Sequence, residues 1–272
     1  MEPIFLRKTG INNLQYRLLK IEKNKLTFSS KPYCYHDKIN FGKYLVYEFA
    51  KSIEYKKRKP NYQRIASKLS NPYESIILTG ISTLVLLVNN SEIRFIIGKR
   101  KESVAYAEGT FHVIPAGEFQ PSSQDPKSFD NDFDLWKNIM RESAEEILGN
   151  EEFNGNLGKT FDYKEEPFIS LEQGKKSGSI QVFYFGVGLD PLSFQGEILT
   201  CAVFKEDVFN RIFGLPKNEN KESLIFNETN RWGQNFNENA VNSYYHKNTL
   251  ATTKMILNIA WQNIDYLKES LN

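Results

Sequence analysis

The segment Arg141-Glu142-Ser143-Ala144-Glu145-Glu146 decides the predicted fold of this chain. On a helix with about 100° per residue, its three glutamates gather on one side, at i, i+3 and i+4. The other side would carry the set Trp136, Met140, Ser143 and Ile147. Three carboxylates in one turn repel each other unless a cation neutralises them, and Mg²⁺ prefers such oxygen ligands. The alternative is a solvated acidic face, which most charge runs form.

The residues ahead of this segment predict strands and a turn. Residues 81–88 are largely apolar and residues 93–100 form a second β-rich run, with the turn Asn89-Asn90-Ser91 between them. A third, short strand is expected over residues 111–114, and Pro115-Ala116-Gly117 follows it as a turn. The predicted order is therefore a hairpin, a short strand, a glycine turn, a loop and the acidic helix.

Arg141-Glu142 with Glu145-Glu146, preceded by the Gly117 turn, resembles the signature of the Nudix hydrolases. That signature leads from a glycine turn, through a loop that carries a glutamate, to Arg-Glu-x-x-Glu-Glu and a closing glycine. The upstream strands stand in the family's order, and the resemblance covers residues 79–213. It implies an α+β fold, namely a Nudix-like α/β/α sandwich with a mixed sheet, plus a small N-terminal α+β extension.

The chain also departs from the family pattern. Ala116 and Gly117 stand where two glycines are usual, and the loop from there to the acidic segment is longer than usual. Phe133 occupies the position of the loop glutamate, Ser143 replaces a large aliphatic residue, and the closing Gly149 comes one place late. The acids near the lost glutamate are Asp130, Asp132 and Asp134. These changes leave room for a domain that binds a ligand without turning it over.

The resemblance implies a site for a divalent metal ion, Mg²⁺ or Mn²⁺. By carry-over from the family, Glu145 and Glu146 are the principal ligands and Glu142 is the third. The main-chain carbonyl of Gly117 would complete the shell, because glycine lets the chain approach closely. Such an ion clamps phosphate oxygens, lowers the pKa of its bound water and stabilises the charge that develops in the displacement.

Two arginines have different expected roles at this site. Arg141 would orient a glutamate through a charge-assisted pair and would not touch substrate. Arg100 would face the phosphates of the substrate, or would form a surface ion pair. The general base would be Glu142 or an acid outside the helix. The outside candidates, for the base or for an extra metal ligand, are Asp162, Glu165, Glu166 and Glu172. We expect His112 to be packed or hydrogen-bonded and not to bind metal.

Composition limits the class of protein and its partners. Lys+Arg 35 against Asp+Glu 33 gives a net charge of +2, which argues against nucleic acid binding. The isolated Cys34 and Cys201 have neither metal-ligand spacing nor a disulfide framework, which fits a reducing cytoplasm. The sequence shows no signal-peptide run and no apolar stretch long enough to span a bilayer. We therefore expect a cytoplasmic protein, away from membranes. The resemblance to the Nudix family implies a small-molecule nucleotide as its substrate.

Residues 1–75 differ in character from residues 76–272, and we expect them to extend the Nudix-like domain. The extension should hold a β-hairpin, with strands over residues 14–21 and 25–28, and then a helix over residues 44–55. The basic run Lys56-Lys57-Arg58-Lys59 would grip phosphate, RNA or an anionic surface, or would be a solvated helix end. A further short helix is expected before the domain begins.

Around the acidic helix, the pattern predicts a loop and two strands. Residues 118–132 should be irregular, and the helix should span residues 133–148, with N-cap candidates in residues 130–132 and Gly149 just after its end. Strands should follow over residues 161–166 and 180–189, with a mobile basic loop between them.

Two more helices should complete the domain. In the family, the helix expected over residues 205–212 would pack on the sheet opposite the acidic helix. Residues 252–271 read as an amphipathic helix that packs on the core or forms a homodimer interface. The resemblance to the Nudix family favours a hydrolase that cleaves a pyrophosphate bond in a nucleoside diphosphate linked to another group. The alternatives are a nucleotide or nucleotide-sugar sensor, and a structural protein with an incidental acidic helix.

Overall fold

The computed structural model describes residues 14–22, 25–31, 33–55, 79–102, 107–151, 160–190, 195–228 and 230–271. Its strands are β1 (Leu14–Gln15), β2 (Leu18–Glu22), β3 (Lys25–Phe28), β4 (Tyr33–Cys34), β5 (Thr79–Val88), β6 (Ile93–Phe95), β7 (Ile97–Arg100), β8 (Phe111–Val113), β9 (Ala116–Glu118), β10 (Ile180–Leu189), β11 (Gly196–Lys205), β12 (Ser223–Ile225) and β13 (Gln234–Asn235). Its helices are α1 (Tyr35–Tyr55), α2 (Pro126–Asn131), α3 (Leu135–Glu146), α4 (Phe168–Lys176), α5 (Glu206–Phe213), α6 (Glu238–His246), α7 (Ala251–Gln262) and α8 (Ile264–Glu269).

The central sheet is mixed and is built around β5. Its strand order is β10-β11-β5-β6-β13, and β9 pairs with the first residues of β5. β11 runs parallel to β5, whereas the other neighbouring strands pair antiparallel. Because both faces of β5 are covered, most of its residues are buried rather than every second one. The expected α+β class, the mixed sheet and the strands over residues 81–88 and 180–189 are confirmed.

Helices cover both faces of this sheet. Ile81 and Val85 of β5 face a core that includes α3 and α5, whereas Leu84 and Leu86 face a core that includes α6, α7 and α8. Successive strand residues point to opposite faces, so each helix belongs to one side. The helix expected over residues 205–212 is confirmed as α5. Its predicted position is wrong, because α5 shares a face with the acidic helix and the C-terminal helices cover the other face.

The acidic helix is α3, and its two ends have local causes. Asp134 is the N-cap, because its side chain accepts the backbone N–H of Trp136 at 2.8 Å and of the next residue at 3.1 Å. Gly149 has a φ of +76° just beyond the helix, as expected for its end. The buried Ser143 hydroxyl donates to the Ile139 carbonyl at 2.7 Å, so a serine is tolerated where the family has an aliphatic residue.

The loop before α3 is more ordered than predicted. It contains the short helix α2, capped by Asp125, so the irregular loop over residues 118–132 was a wrong prediction. Asp132 is fully buried and accepts hydrogen bonds from the Ser122 backbone at 2.7 Å and the Tyr163 hydroxyl at 3.0 Å. The N-cap prediction for residues 130–132 was therefore wrong as well, since Asp132 stabilises the loop and not the helix.

Three further predictions were wrong. Residues 161–166 form turns and not a strand. The basic segment expected to be a mobile loop belongs mostly to α4, where Gly174 lets the helix approach the Ile180 side chain closely. The C-terminal amphipathic segment is two helices, α7 and α8, with a break at Asn263. Within the described ranges, none of the helices is both long and apolar enough to cross a membrane.

Tyr16 anchors the N-terminal hairpin on the rest of the chain. Its side chain is fully buried, its hydroxyl donates to the Phe129 carbonyl at 2.8 Å, and its N–H donates to the Phe119 carbonyl at 3.2 Å. The rings of Phe119, Phe129 and Phe133 lie 4.7, 4.7 and 5.0 Å from the Tyr16 ring, and Phe28 joins the same cluster. Phe133, which stands where the Nudix signature has its loop glutamate, therefore packs its ring against this aromatic cluster.

The N-terminal hairpin is confirmed by the pairing of β2 with β3, but its first strand begins at Leu18, because Leu14 and Gln15 pair with β4 instead. The helix expected over residues 44–55 is present, but α1 begins earlier, at Tyr35. The basic run Lys56-Lys57-Arg58-Lys59 and the short helix predicted after it lie outside the described residues. The division of the chain at residue 75 lies there too, and it stays a prediction.

Replacing Tyr16 tests the anchor between the hairpin and the sheet. Tyr16→Ala should destabilise the fold by about 3–5 kcal/mol, the usual cost of truncating a buried aromatic side chain. Tyr16→Phe keeps the ring and loses one hydrogen bond, so we expect about 1 kcal/mol. Urea denaturation measures both changes, and limited proteolysis should cut the N-terminal segment of Tyr16→Ala first. Equal protection of that segment in Tyr16→Ala and the natural chain would contradict the anchoring role.

Candidate functional site

A cavity of about 540 Å³ lies where β9 and the first residues of β5 and β11 meet α1 and α3. Its lining includes every residue that the family resemblance assigned to the site, namely Arg100, Gly117, Arg141, Glu142, Glu145 and Glu146. A larger cavity of about 750 Å³ lies beside Val88, at the other end of β5, and none of the six lines it. The cavity at β9 is therefore the candidate site.

Gly117 of β9 and Glu142 of α3 approach each other closely in the candidate site. A Cβ atom on Gly117 would overlap the Glu142 carboxylate, so glycine makes room for that carboxylate against the strand. Glu142 is 9 % exposed, and the Asn138 side chain donates to its Oε1 at 3.4 Å. Asn138 lies one turn ahead of Glu142 on the same helix face. That spacing is visible in the sequence, but the site prediction did not include Asn138.

Glu146 is equally buried, at 9 % exposed. Its Oε1 accepts the Ala116 N–H at 3.1 Å, whereas its Oε2 is buried and has no hydrogen-bond partner among the described residues. Burial raises the pKa of Glu146 to about 8. Burial of Glu142 and Glu146 excludes the alternative of a solvated acidic face, while Glu145 keeps an intermediate exposure.

Among the residues that the structure describes, Arg141 forms no ion pair with a glutamate, which differs from its predicted contact. Its Nη2 donates to the Gln120 carbonyl at 2.5 Å and to Asn138 Oδ1 at 3.2 Å. Asn138 Oδ1 also accepts the Gln120 N–H at 3.2 Å. Arg141 thereby holds the chain after β9 against α3, and it contacts Asn138, which in turn donates to Glu142. The expectation that Arg141 positions a glutamate stays a prediction.

Arg100 forms the predicted ion pair, and its expected role towards substrate phosphates stays a prediction. It lines the cavity, and its Nη2 lies 3.3 Å from an Oε atom of the exposed Glu222, which also lines the cavity. Its Nε is buried and has no hydrogen-bond partner in the described part of the chain. A cation at the wall of the cavity with an unused donor can receive phosphate oxygens, which a guanidinium binds well.

Three cavity acids were missed by the sequence analysis, namely Glu118, Glu197 and the Glu222 that pairs with Arg100. Glu118 directly follows Gly117 on β9, so its proximity to a predicted site residue was a usable signal. Glu197 lies on β11, and its Oε2 accepts a hydrogen bond from Ser82 Oγ at 3.2 Å. Burial raises the pKa of Glu197 to about 7. Only the pairing of β11 with β5 brings Glu197 here, and no sequence pattern showed that pairing.

The acids proposed from outside the helix are absent from the described lining of the cavity, namely Asp162, Glu165, Glu166 and Glu172. Glu172 instead accepts the Trp136 indole N–H at 3.1 Å, on the core side of α3. His112 is buried against Ser223, with 2.8 Å between Nε2 and Oγ, and burial lowers the pKa of His112 to about 3. Its expected packed role is confirmed.

The donor set of the candidate site fits a hard divalent cation. Carboxylate and main-chain oxygens are the ligands of Mg²⁺ and Mn²⁺, and Glu146 presents a buried oxygen without a partner. A cation would also replace the proton that burial favours on Glu146. In the ranges that the structure describes, no three acidic, histidine or cysteine side chains converge into a complete cation site. The carboxylates would therefore have to rotate towards an ion.

No family model matches the sequence, and no curated protein matches it. Among solved structures, the chain is similar to a crystal structure of a NUDIX hydrolase from Alicyclobacillus acidocaldarius, with a TM-score of 0.39 and 13% sequence identity. The likeness covers 71% of this chain and 96% of that one. At that TM-score it has no weight for fold, family or reaction, so the functional reading rests on the residues of the site.

Divalent cations should stabilise the protein, and more so at high pH. Glu146 holds a proton up to about pH 8 in the folded state, so a cation must displace that proton in neutral or acid solution. Millimolar Mg²⁺ or Mn²⁺ should therefore raise the thermal midpoint more at about pH 9 than at about pH 6. Without a cation, stability should fall as pH rises towards 8, because the folded chain binds this proton more tightly than the unfolded chain.

Carboxamide variants separate the site from a general salt effect. Glu145→Gln combined with Glu146→Gln should abolish the rise in thermal midpoint while the fold survives. Glu269→Gln, an exposed helix glutamate outside the cavity, should keep it. An equal rise in the double variant would contradict a cation site on α3.

Gly117→Ala should weaken the cation response without unfolding the chain. The added methyl group overlaps the Glu142 carboxylate and pushes it out of its place. Gly188→Ala is the matched control, because a Cβ there meets Leu199 at an ordinary 3.6 Å. Thermal melts with and without Mn²⁺ compare the two variants, and an unchanged response in Gly117→Ala would show that the position of Glu142 does not matter.

Proposed function

We propose that this chain is a divalent-metal-dependent hydrolase of the Nudix type, which cleaves a pyrophosphate bond in a nucleoside diphosphate linked to another group. The observation that carries the proposal is that all six residues assigned by the resemblance line one cavity. The mixed sheet with helices on both faces is compatible with the α/β/α sandwich that the family would require. Burial of acidic side chains at the cavity adds support, since it is costly unless they serve a purpose there.

The carboxylates of α3 are the proposed metal ligands. Glu145 and Glu146 would hold Mg²⁺ or Mn²⁺, with Glu142 third and the Gly117 carbonyl beside them. When bound, the ion would neutralise the pyrophosphate charge and supply an activated water. Glu146 contributes a buried oxygen whose negative charge is unfavourable without a cation, which makes it a strong ligand once ionised.

The remaining residues of the cavity would position the substrate and move a proton. Arg100 would receive phosphate oxygens at the wall of the cavity, in exchange for its pair with Glu222. Arg141 and Asn138 would keep Glu142 in place. Glu142 and Glu197 are the two candidates for the general base, and the pKa of Glu197, about 7, suits proton transfer near neutral pH.

A nucleotide or nucleotide-sugar sensor is the second candidate, and one observation favours it. Phe133, at the position of the family's loop glutamate, is packed in the aromatic cluster with Tyr16 and Phe28. No carboxylate can act from that position here. A structural protein with an incidental acidic helix is disfavoured, because Glu142 and Glu146 are buried at a cavity and not spread over a surface.

Turnover with a nucleotide library separates the enzyme from the sensor. We expect release of a mononucleotide from some nucleoside diphosphate derivative in Mg²⁺ or Mn²⁺. Glu146→Gln should lower kcat by at least about 10²-fold, because it removes charge stabilisation of the transition state, while substrate affinity changes much less. Glu269→Gln should leave kcat unchanged. A ligand that binds tightly with Mg²⁺ and is recovered intact after long incubation would decide for the sensor.

A further inference from the structure

A buried lysine from the N-terminal helix lies inside the candidate site. Lys38 of α1 lines the cavity, is 4 % exposed, and places its Nζ 2.6 Å from both carboxylate oxygens of Glu118. Burial acts to lower the pKa of Lys38, but the Glu118 and Glu197 carboxylates outweigh it and hold that pKa above its usual value. Lys38 is therefore a permanent positive charge at the cavity.

Glu118 and Glu197 meet around Gly80 of β5. Gly80 pairs with Glu118 on the antiparallel β9 and with Glu197 on the parallel β11, so the two acids flank the same point of the sheet. A Cβ on Gly80 would lie 2.7 Å from Glu197 Oε1, and Ser82 donates to Glu197 Oε2. Glu118, Glu197 and the Ser82 hydroxyl form an oxygen-rich group, which we call the β-sheet acidic group.

The β-sheet acidic group and the carboxylates of α3 lie on opposite sides of β9. Gly117 and Glu118 are consecutive, so their side-chain directions point to opposite faces of the strand. A Cβ atom on Gly117 would point at the Glu142 carboxylate, whereas the Glu118 side chain contacts Lys38. The cavity thus has two acidic walls, namely the β-sheet acidic group and the carboxylates of α3. The Lys38 ammonium neutralises the first of them.

We propose that Lys38 is the resident cation of the β-sheet acidic group, and that it thereby confines divalent ions to the carboxylates of α3. Two partly buried acids that flank the same residue of the sheet need a counter-charge, and an ammonium 2.6 Å from Glu118 supplies it without a metal. A bound divalent ion on the same oxygens would be repelled by Lys38 at contact distance. The N-terminal segment is then a part of the site, and Lys38 is a positioning residue for the metal.

The count of bound Mn²⁺ ions tests the proposal without reference to activity. In the Glu145→Gln/Glu146→Gln background, which removes the two principal metal ligands proposed on α3 and leaves only Glu142 there, the chain should bind no Mn²⁺ tightly. Adding Lys38→Met there should create one new site, which equilibrium dialysis with electron paramagnetic resonance of Mn²⁺ would detect. Adding Glu118→Gln as well should remove that site again. Lys43→Met, an exposed lysine of the same helix, should create none.

The outcomes separate this inference from the proposed function. Mn²⁺ binding by the natural chain tests the α3 carboxylates, whereas the gain with Lys38→Met tests Lys38 even if the natural chain binds nothing. If Lys38→Met is unfolded without metal and folds when Mn²⁺ is added, the proposal is supported. No gain in Mn²⁺ binding would overturn it, as would a gain that persists in Lys38→Met/Glu118→Gln. A third outcome would also overturn it: Lys38→Met stays unfolded even with Mn²⁺, whereas Lys38→Met/Glu118→Gln is folded. In that case the role of Lys38 would be only to pair with Glu118 in the fold.

Discussion

The contact between the Glu142 carboxylate and the bare backbone of Gly117 is the constraint on which the candidate site depends. It sets the distance between α3 and β9, since any side chain on Gly117 would separate them. Pairing of β9 with β5 then transmits that position to the central sheet. Arg141 donates to the Gln120 carbonyl and Asn138 accepts the Gln120 N–H, and these two bonds hold the chain that leaves β9 against the same helix. The Glu142 carboxylate, which lies where a side chain on Gly117 would be, thus sets the spacing between helix and sheet. In the proposed reaction it is also a metal ligand.

The parts of the fold that the sequence predicted are those with a local signal. The glutamate spacing of α3, the long apolar run of β5 and the β-rich run of β10 are each contained in a single segment, so periodicity and propensity were sufficient. The positions of the elements were less predictable. The helix α5 was assigned to the wrong face because it was placed by family resemblance, whereas the alternation of β5 residues between two cores decides the side.

The candidate site divides in the same way. Glu142, Glu145 and Glu146 lie in one turn of one helix, so their proximity followed from spacing alone. Lys38 and Glu197 come from α1 and β11, and only tertiary packing brings them to β9. Asp134 was missed as the N-cap because three acidic or amide residues just before it compete for that role, and the burial of Asp132 with Ser122 and Tyr163 decides among them. Contacts between distant segments leave no periodic trace in a single sequence.

The parallel pairing of β11 with β5 has a consequence for how the protein acquires its function. Ser82 and Glu197 are 115 residues apart in the chain, and a parallel pair of this kind closes a long loop before any contact compensates for the lost entropy. A slip of one residue would turn Glu197 to the other face of the sheet and bring Ile198 to the cavity. The oxygen-rich wall therefore exists only in chains that have reached the correct register. A newly made chain with α3 and β9 already joined would still lack half of its cavity until this slow, non-local step is complete.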